Sequence, residues 1–291
     1  MTHVEINHAV AGRARAGDVL TDADLAELDA LDVLLLGMLA DEVRRARVGA
    51  EVTYARVFEP AAEIDLERLT ALAAAGVEIR LGAPEASLTE TVSRVARVRE
   101  AIGPHARLVG FSLADLVAPG WAPLADVLGA VRTAGLDAIA EAPIDVLTSA
   151  DVEAVGTAGL RLGALSVQRM PARRVALVLQ ARAFRAGRPW IDAFAPLSRE
   201  QSVSAPTTGY HDVRMVALAR LGLPEVSVIQ VDWQQYGPKL AQVALAFGAS
   251  HLDGVSPFDD PALGPRRGSV EDVRRHIAAA GFTAAERGGS R

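Results

Sequence analysis

Short apolar runs alternate with longer amphipathic segments along most of the chain, and the longer segments repeatedly stop at glycine. Glycine reaches positive φ without a Cβ penalty, so it is typical of the position that follows a helix. A run rich in β-branched or apolar residues follows most of these stops, which indicates βαβ units on a parallel sheet. The glycines concerned are Gly76, Gly103, Gly135, Gly159, Gly187, Gly222 and Gly248.

Eight such apolar runs predict eight strands. Eight βα repeats favour an α/β fold of the (β/α)8 TIM-barrel type, closed fully or imperfectly, over a doubly wound open sheet. Neither a Gly-x-Gly-x-x-Gly turn after the first strand nor a Walker A sequence occurs to favour the open sheet. The predicted strands are Val52–Phe58, Val77–Leu81, Arg107–Phe111, Leu136–Ala140, Leu160–Leu165, Trp190–Ala195, Val226–Val231 and His251–Asp253.

The predicted barrel has helical flanks on both sides. Residues 1–50 are expected to form a helical N-terminal extension, with a capping box at Thr21 and Asp24 and a second helix over Leu34–Val48. Residues 51–291 are expected to form one structural domain, the barrel followed by a last helix. Ser269 and Asp272 open that helix by the same capping device, and it ends at Gly281.

Composition excludes several classes of function. The 291 residues carry a net charge of -6 and no basic run, which argues against a nucleic-acid surface. Arg44, Arg45 and Arg47 share a helix with two acids, and this pattern indicates a solvent-exposed face. No apolar stretch reaches the roughly 20 residues of a membrane span, and no signal-peptide pattern opens the sequence, so we expect a cytoplasmic protein that contacts no membrane.

The sequence contains no cysteine, which excludes disulfides, thiolate zinc sites, a cysteine nucleophile and cysteine-ligated iron–sulfur clusters. The six histidines show no metal-site spacing, so no metal is predicted and structural roles are expected for all of them. His251, at the start of the eighth strand, is expected near the bottom of the barrel.

The seventh and eighth units carry a specific resemblance. Val231–Trp233, Tyr236–Leu245, Phe247–Ala249 and Leu252–Gly254 closely resemble aminofutalosine synthase, a radical S-adenosylmethionine protein of the futalosine menaquinone pathway. Cyclic dehypoxanthine futalosine synthase and the deazaflavin-ring synthases are similar. Weaker similarity extends over nearly the whole chain, and the resemblance implies the same barrel.

The resemblance also implies a Cys-x-x-x-Cys-x-x-Cys loop after the first strand, where three thiolates hold a [4Fe–4S] cluster. Here residues 57–63 run directly into the next helix, so the loop is absent and not merely stripped of sulfur. Without the cluster, S-adenosylmethionine has no electron source for reductive cleavage, and radical chemistry is not expected. Gly82–Glu85 replaces the family's glycine-rich turn, which argues against family-like binding of S-adenosylmethionine. No cofactor is therefore predicted.

Ligands of such barrels lie at the carboxyl ends of the strands, and this rule selects the candidate site residues. The predicted catalytic residues are Glu59, Glu141 and Asp232. The predicted substrate-binding residues are Glu85, Ser112, Asp115, Gln168, Arg169, Arg199, Gln235, Lys239 and Asp253. The simpler interpretation, that βα loops are polar because they face solvent, stays open for each of them.

Particular roles follow from residue chemistry. Glu59 and Glu141 could serve as general base and acid, and Arg169 or Arg199 could clamp a substrate carboxylate. Asp232 lies in an apolar run, where either a functional role or a structural salt bridge would explain an acid. Lys239 is expected to make a packing or anion contact in preference to a Schiff base.

Two classes of function remain. The first is a ligand-binding or partner-subunit paralogue that serves menaquinone biosynthesis without radical chemistry, as a homodimer or in a complex with an enzyme of that pathway. The second is an enzyme that kept the barrel and uses polar acid–base chemistry, as a lyase, hydrolase or isomerase, on a futalosine-like nucleoside or an aryl carboxylate. Two acids converging on one atom would favour the enzyme, and scattered acids would favour the binding role.

Overall fold

A computed structural model describes residues 8–61, 65–170, 173–200, 207–258 and 269–288. All eight predicted strands are present, and a ninth follows the last helix. The strands are β1 (Glu51–Phe58), β2 (Glu78–Leu81), β3 (Leu108–Ser112), β4 (Ala138–Pro143), β5 (Arg161–Val167), β6 (Ile191–Ser198), β7 (Val228–Asp232), β8 (His251–Val255) and β9 (Thr283–Glu286).

Twelve helices lie in the described part of the chain. They are α1 (His8–Ala16), α2 (Asp22–Ala30), α3 (Val33–Val48), α4 (Leu66–Ala74), α5 (Leu88–Ile102), α6 (Leu113–Val117), α7 (Leu124–Thr133), α8 (Ser149–Thr157), α9 (Arg174–Arg185), α10 (Gly209–Gly222), α11 (Trp233–Leu245) and α12 (Val270–Ala279). None of these helices is long and apolar enough for a membrane span.

The first eight strands form a closed parallel barrel, which confirms the predicted fold class. Each strand pairs with the next in sequence, and β1 closes the ring by pairing with both β8 and β2. Six strands continue past their predicted ends, among them β4 to Pro143, β5 to Val167 and β6 to Ser198. Strand pairing needs only backbone groups, so the polar residues at these ends, which had suggested loops, still belong to the sheet.

The ninth strand, which the sequence analysis missed, covers a gap at the amino end of the barrel. Only Val57 and Phe58 of β1 pair with β2. Nearer the amino end of the same strand, Glu51–Tyr54 pairs with Thr283–Glu286 of β9, and β8 pairs with the opposite edge of β1. β9 therefore provides hydrogen-bond partners where β1 and β2 have separated.

The capping boxes predicted on both sides of the barrel are present. Thr21 and Asp24 form the capping box that opens α2, and Ser269 and Asp272 form the one that opens α12. α3 packs along α10 on the outside of the barrel. Whether the first 50 residues act as a separate extension stays a prediction.

The interpretation of the arginine cluster as a solvent-exposed face was wrong for Arg44. Its side chain is fully buried and donates hydrogen bonds to the backbone carbonyls of Ala249, Gly49 and Glu51. Burial lowers the pKa of Arg44 to about 10. Its guanidinium also lies 4.0 Å from the ring centre of Phe282, just before β9. One side chain thus ties α3 to the segments that flank β1 and β8.

Candidate functional site

A cavity of about 280 Å³ opens at the carboxyl ends of the strands. Small residues at inward positions, among them Ala140, Ala164 and Ala195, leave this volume unfilled. Eight of the twelve predicted site residues line it, because every strand of a parallel barrel delivers its carboxyl end to the same face. They are Glu59, Ser112, Asp115, Glu141, Arg199, Asp232, Gln235 and Asp253.

The floor of the cavity is an ion-pair network centred on Arg80. Its Nη1 lies 2.8 Å from Asp253 Oδ2, and its Nη2 lies 3.0 Å from Asp253 Oδ1 and 2.6 Å from Glu78 Oε1. Gln230 Nε2 donates to the same Asp253 carboxylate at 3.0 Å. Burial alone would raise the pKa of Asp253, but the charge and hydrogen bonds of Arg80 outweigh it and hold that pKa well below its usual range. Asp253 is therefore a fully engaged anion.

His251 lies in the barrel interior beside this floor. Its Nδ1 is 2.7 Å from Thr53 Oγ1, and its Nε2 is 3.9 Å from Asp253 Oδ1, beyond hydrogen-bond distance. Burial lowers the pKa of the imidazole, so the ring is neutral near pH 7. A structural role for His251 stays a prediction.

Asp232 ends β7 and keeps one carboxylate oxygen free of hydrogen bonds from the described residues. It precedes α11, and its Oδ1 caps that helix by accepting a hydrogen bond from the backbone amide of Gln235 at 2.7 Å. Its Oδ2 accepts none from the described residues, nor does the carboxylate form a salt bridge with them. Burial, and then the negative charge of Asp253, raise the pKa of Asp232.

The backbone of Gly254 makes room for this carboxylate. Gly254 has φ +69°, and a Cβ built there would lie 3.2 Å from Asp232 Oδ2. Most side chains would therefore be strained at this position and would crowd the acid. The sequence left two explanations open for an acid at position 232, a functional role and a structural salt bridge. The described residues supply no salt-bridge partner, and the helix cap engages only one of the two carboxylate oxygens.

Glu141 and Arg199 bind each other on the opposite part of the wall. Arg199 Nη1 lies 2.5 Å from Glu141 Oε2, so the charge of this guanidinium is already paired before a ligand arrives. The end of β6 that carries Arg199 is held by α11. Gln235 Nε2 donates to the carbonyls of Ser198 and Arg199, both at 2.8 Å, and the Tyr236 hydroxyl donates to the former.

Four predicted site residues do not reach the cavity. Glu85 pairs with Arg94, with 3.0 Å between the carboxylate and Nη1. Gln168 and Arg169 turn outward to bind Glu200, because Asp145 accepts hydrogen bonds from both of their backbone amides.

Lys239 is exposed on α11 and is the fourth of these residues. The helix kinks at Gly237, where φ is 74° and ψ is 168°, and Pro238 follows. Only the first turn of α11, which carries Gln235 and Tyr236, therefore lines the cavity.

The rule that selects the carboxyl ends of strands and the loops after them misses several residues of the cavity. Arg80 and Gln230 are polar residues inside predicted strands, and inward alternation within the strand could have identified them. Ser166 and Phe111 also line the cavity. Phe111 has φ 64° and is the one non-glycine residue with positive φ among the residues described. Such strain is found most often at functional sites, but no sequence pattern predicts it here.

The residues of this site do not fit a cysteine-ligated iron–sulfur cluster. The sequence has no thiolate donor, and β1 is followed by Glu59, Pro60 and Ala61. Within the ranges that the structure covers, no three His, Asp or Glu side chains are arranged to hold a metal ion. No step of a reaction is therefore assigned to a cluster.

The fold and the cavity together define a class: a (β/α)8 barrel with a polar cavity at the carboxyl ends of its strands. Comparison with known proteins adds detail for its C-terminal part. Residues 181–288, from within α9 to just beyond β9, match the CofH/MqnC C-terminal region. This match includes the segments in which the sequence resemblance was strongest.

Curated relatives match over short stretches. The chain is 32% identical over 102 residues to a 5-amino-6-(D-ribitylamino)uracil–L-tyrosine 4-hydroxyphenyl transferase from Methanocaldococcus jannaschii, which covers 32% of this chain and 28% of the relative. The enzyme of that name from Methanosphaerula palustris is 43% identical over 60 residues, or 21% of this chain and 16% of the relative. The matches thus span less than a third of the relatives' length.

Two solved structures share the fold over nearly the whole chain. Methylornithine synthase (PylB) superposes with a TM-score of 0.70 at 15% identity, covering 95% of this chain and 97% of that one. HydG, a maturase of the [FeFe]-hydrogenase, gives 0.70 at 10% identity, covering 95% and 74%. At these identities the likeness shows the fold alone.

Taken together, the comparisons show similarity to the CofH/MqnC C-terminal region over residues 181–288 and a shared barrel fold over nearly the whole chain. They do not single out the futalosine pathway, and the names of the curated relatives refer to another reaction.

Proposed function

We propose that this chain is a CofH/MqnC-like barrel that binds a small molecule in the cavity at its mouth and works without a cysteine-ligated cluster. The observation that carries the proposal is the convergence of eight polar side chains, from six different strand ends, on one cavity of about 280 Å³. Ligand sites are typically concave and largely preformed, with a few polar groups that converge on the ligand. The role is therefore ligand binding, in a protein that serves alone or as a subunit.

The pathway is part of the proposal. The sequence resemblance points to the futalosine route to menaquinone, whereas the curated relatives are named for a reaction of tyrosine with an aminouracil. We propose that the ligand is an intermediate of one of these routes or a compound derived from it. Either choice is compatible with a cavity that forms without a cluster loop.

A thermal-shift screen tests the binding role. The panel contains S-adenosylmethionine, adenosine, futalosine, aminofutalosine, chorismate, 3-[(1-carboxyvinyl)oxy]benzoate, tyrosine and 5-amino-6-(D-ribitylamino)uracil. A ligand at 100 times its Kd stabilises the folded state by about 2.7 kcal/mol, which a melting curve resolves. We expect at least one compound to raise the Tm of the wild-type protein by several degrees.

A matched pair of variants locates the binding. Gly82 lines the cavity, and the nearest atom to a Cβ there is Glu59 Oε2 at 3.9 Å, so the position accepts a Cβ and the ring of Gly82→Phe is expected to occupy the mouth. Gly129→Phe adds the same side chain on α7, where a Cβ meets nothing within 4 Å. We expect the first variant to abolish the ligand-induced shift and the second to keep it. An unchanged shift in Gly82→Phe would contradict binding in this cavity.

Asp232 supports a second candidate function, an enzyme that uses acid–base chemistry. A carboxyl group with a raised pKa and an oxygen free of hydrogen bonds from the described residues is suited to exchange a proton with a bound molecule. Incubation of each panel compound with the protein, followed by mass spectrometry, should then reveal a product that Asp232→Asn does not form. Binding without any product would leave the first function.

A further inference from the structure

The wall of the cavity carries more negative than positive charge. Five carboxylates line it against two guanidiniums, a formal excess of three negative charges. Both guanidiniums already form ion pairs. Arg80 pairs with Asp253 and with Glu78, which lies below the cavity, and Arg199 pairs with Glu141. The other three lining acids are Glu59, Asp115 and Asp232, none of which forms an ion pair with a described residue.

Two hydrogen-bond acceptors on this wall receive no hydrogen bond from the described residues. Asp232 Oδ2 accepts nothing from the described chain, whereas its Oδ1 caps α11. Ser166 is only 1% exposed, and its Oγ has no hydrogen-bond partner. Ser166 shares the inward face of β5 with Ala164, and both line the cavity. A buried hydroxyl without a partner costs on the order of 1–3 kcal/mol, so a ligand that satisfies it gains affinity.

The chemical class of the ligand follows from these acceptors. An aliphatic ammonium group has three donors and no acceptor, and its charge compensates a carboxylate. A ligand carboxylate, by contrast, would enter a field of excess negative charge. Arg199 is engaged at 2.5 Å by Glu141, and Arg169 binds Glu200 outside the cavity. Each arginine of the expected clamp for a substrate carboxylate is therefore already paired with a carboxylate of this chain.

We propose that the ligand of this cavity is a small aliphatic amine without a carboxylate, and that its ammonium group donates a hydrogen bond to the free oxygen of Asp232. This inference rests on the proposed binding function and replaces its pathway assignment, because none of the pathway compounds named above is an aliphatic amine without a carboxylate. Ser166 accepts from the same ligand, and the rim acids Glu59 and Asp115 attract the cation into the mouth. A diamine would use both the inner and the rim carboxylates.

Isothermal titration with three molecules of the same chain length tests the charge preference. The probes are 1,4-diaminobutane, 1,4-butanediol and succinate, each at equal ionic strength because exposed charges are screened by salt. We expect the diamine to bind at least tenfold more tightly than the diol, and succinate not to bind. Equal binding of diamine and diol, or tighter binding of succinate, would overturn the amine proposal.

Variants separate a specific site from attraction to an acidic protein. Asp232→Asn should weaken diamine binding at least tenfold, whereas Glu100→Gln, which removes an exposed carboxylate on the outer face of α5, should leave it unchanged. Should Asp232→Asn fail to fold, the exposed rim pair Glu59→Gln and Asp115→Asn provides the second test, with a weakening of at least threefold expected. The same affinity in the wild type and the cavity variants would overturn the proposal.

The titrations and the thermal-shift screen together distinguish a failure of the amine proposal from a failure of the proposed binding function. If the diamine does not bind but a panel compound gives a thermal shift that Gly82→Phe abolishes, the amine class is wrong and the binding function stands. If neither the diamine nor any panel compound binds, both proposals fail together.

Discussion

Several side chains of this protein carry a charge in a buried position, where a charge is unfavourable. Each of these charges is compensated by a different set of contacts. Arg80 places two buried carboxylates, Asp253 and Glu78, around one guanidinium. Asp232 instead has a helix cap on one oxygen and nothing from the described chain on the other. The first arrangement produces a rigid floor, and the second leaves a group available to a ligand.

Replacing Arg80 should be strongly destabilising. Arg80→Met leaves the buried Asp253 without its arginine partner and Glu78 with only Arg287, whose Nη2 is 3.7 Å away, and breaking a buried ion pair typically costs about 3–5 kcal/mol. Urea denaturation monitored by circular dichroism measures the loss. The double variant Arg80→Met with Asp253→Asn should recover part of it, because the buried carboxylate that lost its arginine partner is no longer charged. A single variant as stable as the wild type would show that solvent, and not Arg80, compensates these acids.

Asp232→Asn should raise the Tm at pH 7. Burial raises the pKa of Asp232, so between its ordinary pKa and the raised value the folded state holds more protons than the unfolded state. Stability contributed by this group therefore falls as the pH rises through that window and stays low above it. Asparagine keeps the helix cap and removes the charge. Melting curves from pH 4 to 8 should show the largest gain at the upper end, and a gain confined to low pH would contradict the assignment.

At the scale of elements, α3 is fastened to the barrel by hydrogen bonds from arginine to backbone carbonyls. Arg44 reaches Ala249, Gly49 and Glu51, and Arg220 of α10 similarly reaches the carbonyls of Gly248 and Val226. Burial lowers the pKa of Arg220 to about 9, which reflects the cost of burying its charge. The carbonyl groups at these turns would otherwise be buried with fewer donors.

Arg44 and Arg45 offer a matched comparison on adjacent positions of α3. Arg44→Met removes three hydrogen bonds to backbone carbonyls, one of them buried and two part-buried, and should cost on the order of 2–4 kcal/mol. Arg45→Met removes an exposed pair with Asp41, one turn earlier, and should cost less than about 1 kcal/mol. Chemical denaturation of both variants measures the difference. Equal losses would mean that charge near this helix end, and not burial, determines the effect.

At the scale of the whole molecule, β9 completes a barrel that its eight strands alone close only near the mouth. The amide of Arg287 donates to the carbonyl of Tyr54 at 2.8 Å, and Glu286 pairs with Arg56 on β1. These contacts hold the amino half of β1, whose carboxyl end continues into Glu59 of the cavity rim. The C-terminal strand therefore supports the site from the opposite end of the barrel.

A chain that ends at Gly281 should lose this support. The carbonyls of β1 that face β9 would become exposed, and Phe282 would no longer lie beneath Arg44 and Arg45. We expect a lower urea midpoint and faster hydrogen exchange in the amino half of β1, with β4 and β5 unaffected at low denaturant. Uniform exchange across the barrel would instead indicate that β1 and β2 pair along their whole length without β9.

The sequence by itself determined the number and order of the eight barrel strands and the capped ends of α2 and α12. Hydrophobic periodicity, glycine stops and capping boxes are local properties, so a single sequence expresses them fully. It also determined that Glu59, Ser112, Asp115 and Asp232 would meet, since the carboxyl ends of a parallel barrel share one face.

Only the tertiary structure decided which charges are engaged. Arg80 meets Asp253 across 173 positions of the chain, and Arg199 meets Glu141 across 58. Arg44 was expected in solvent and is buried, while Arg169 was expected in the cavity and lies outside it. Each of these outcomes depends on which distant groups share a low-dielectric space, because the free energy of a buried charge is set by its neighbours in three dimensions and not by its neighbours in sequence.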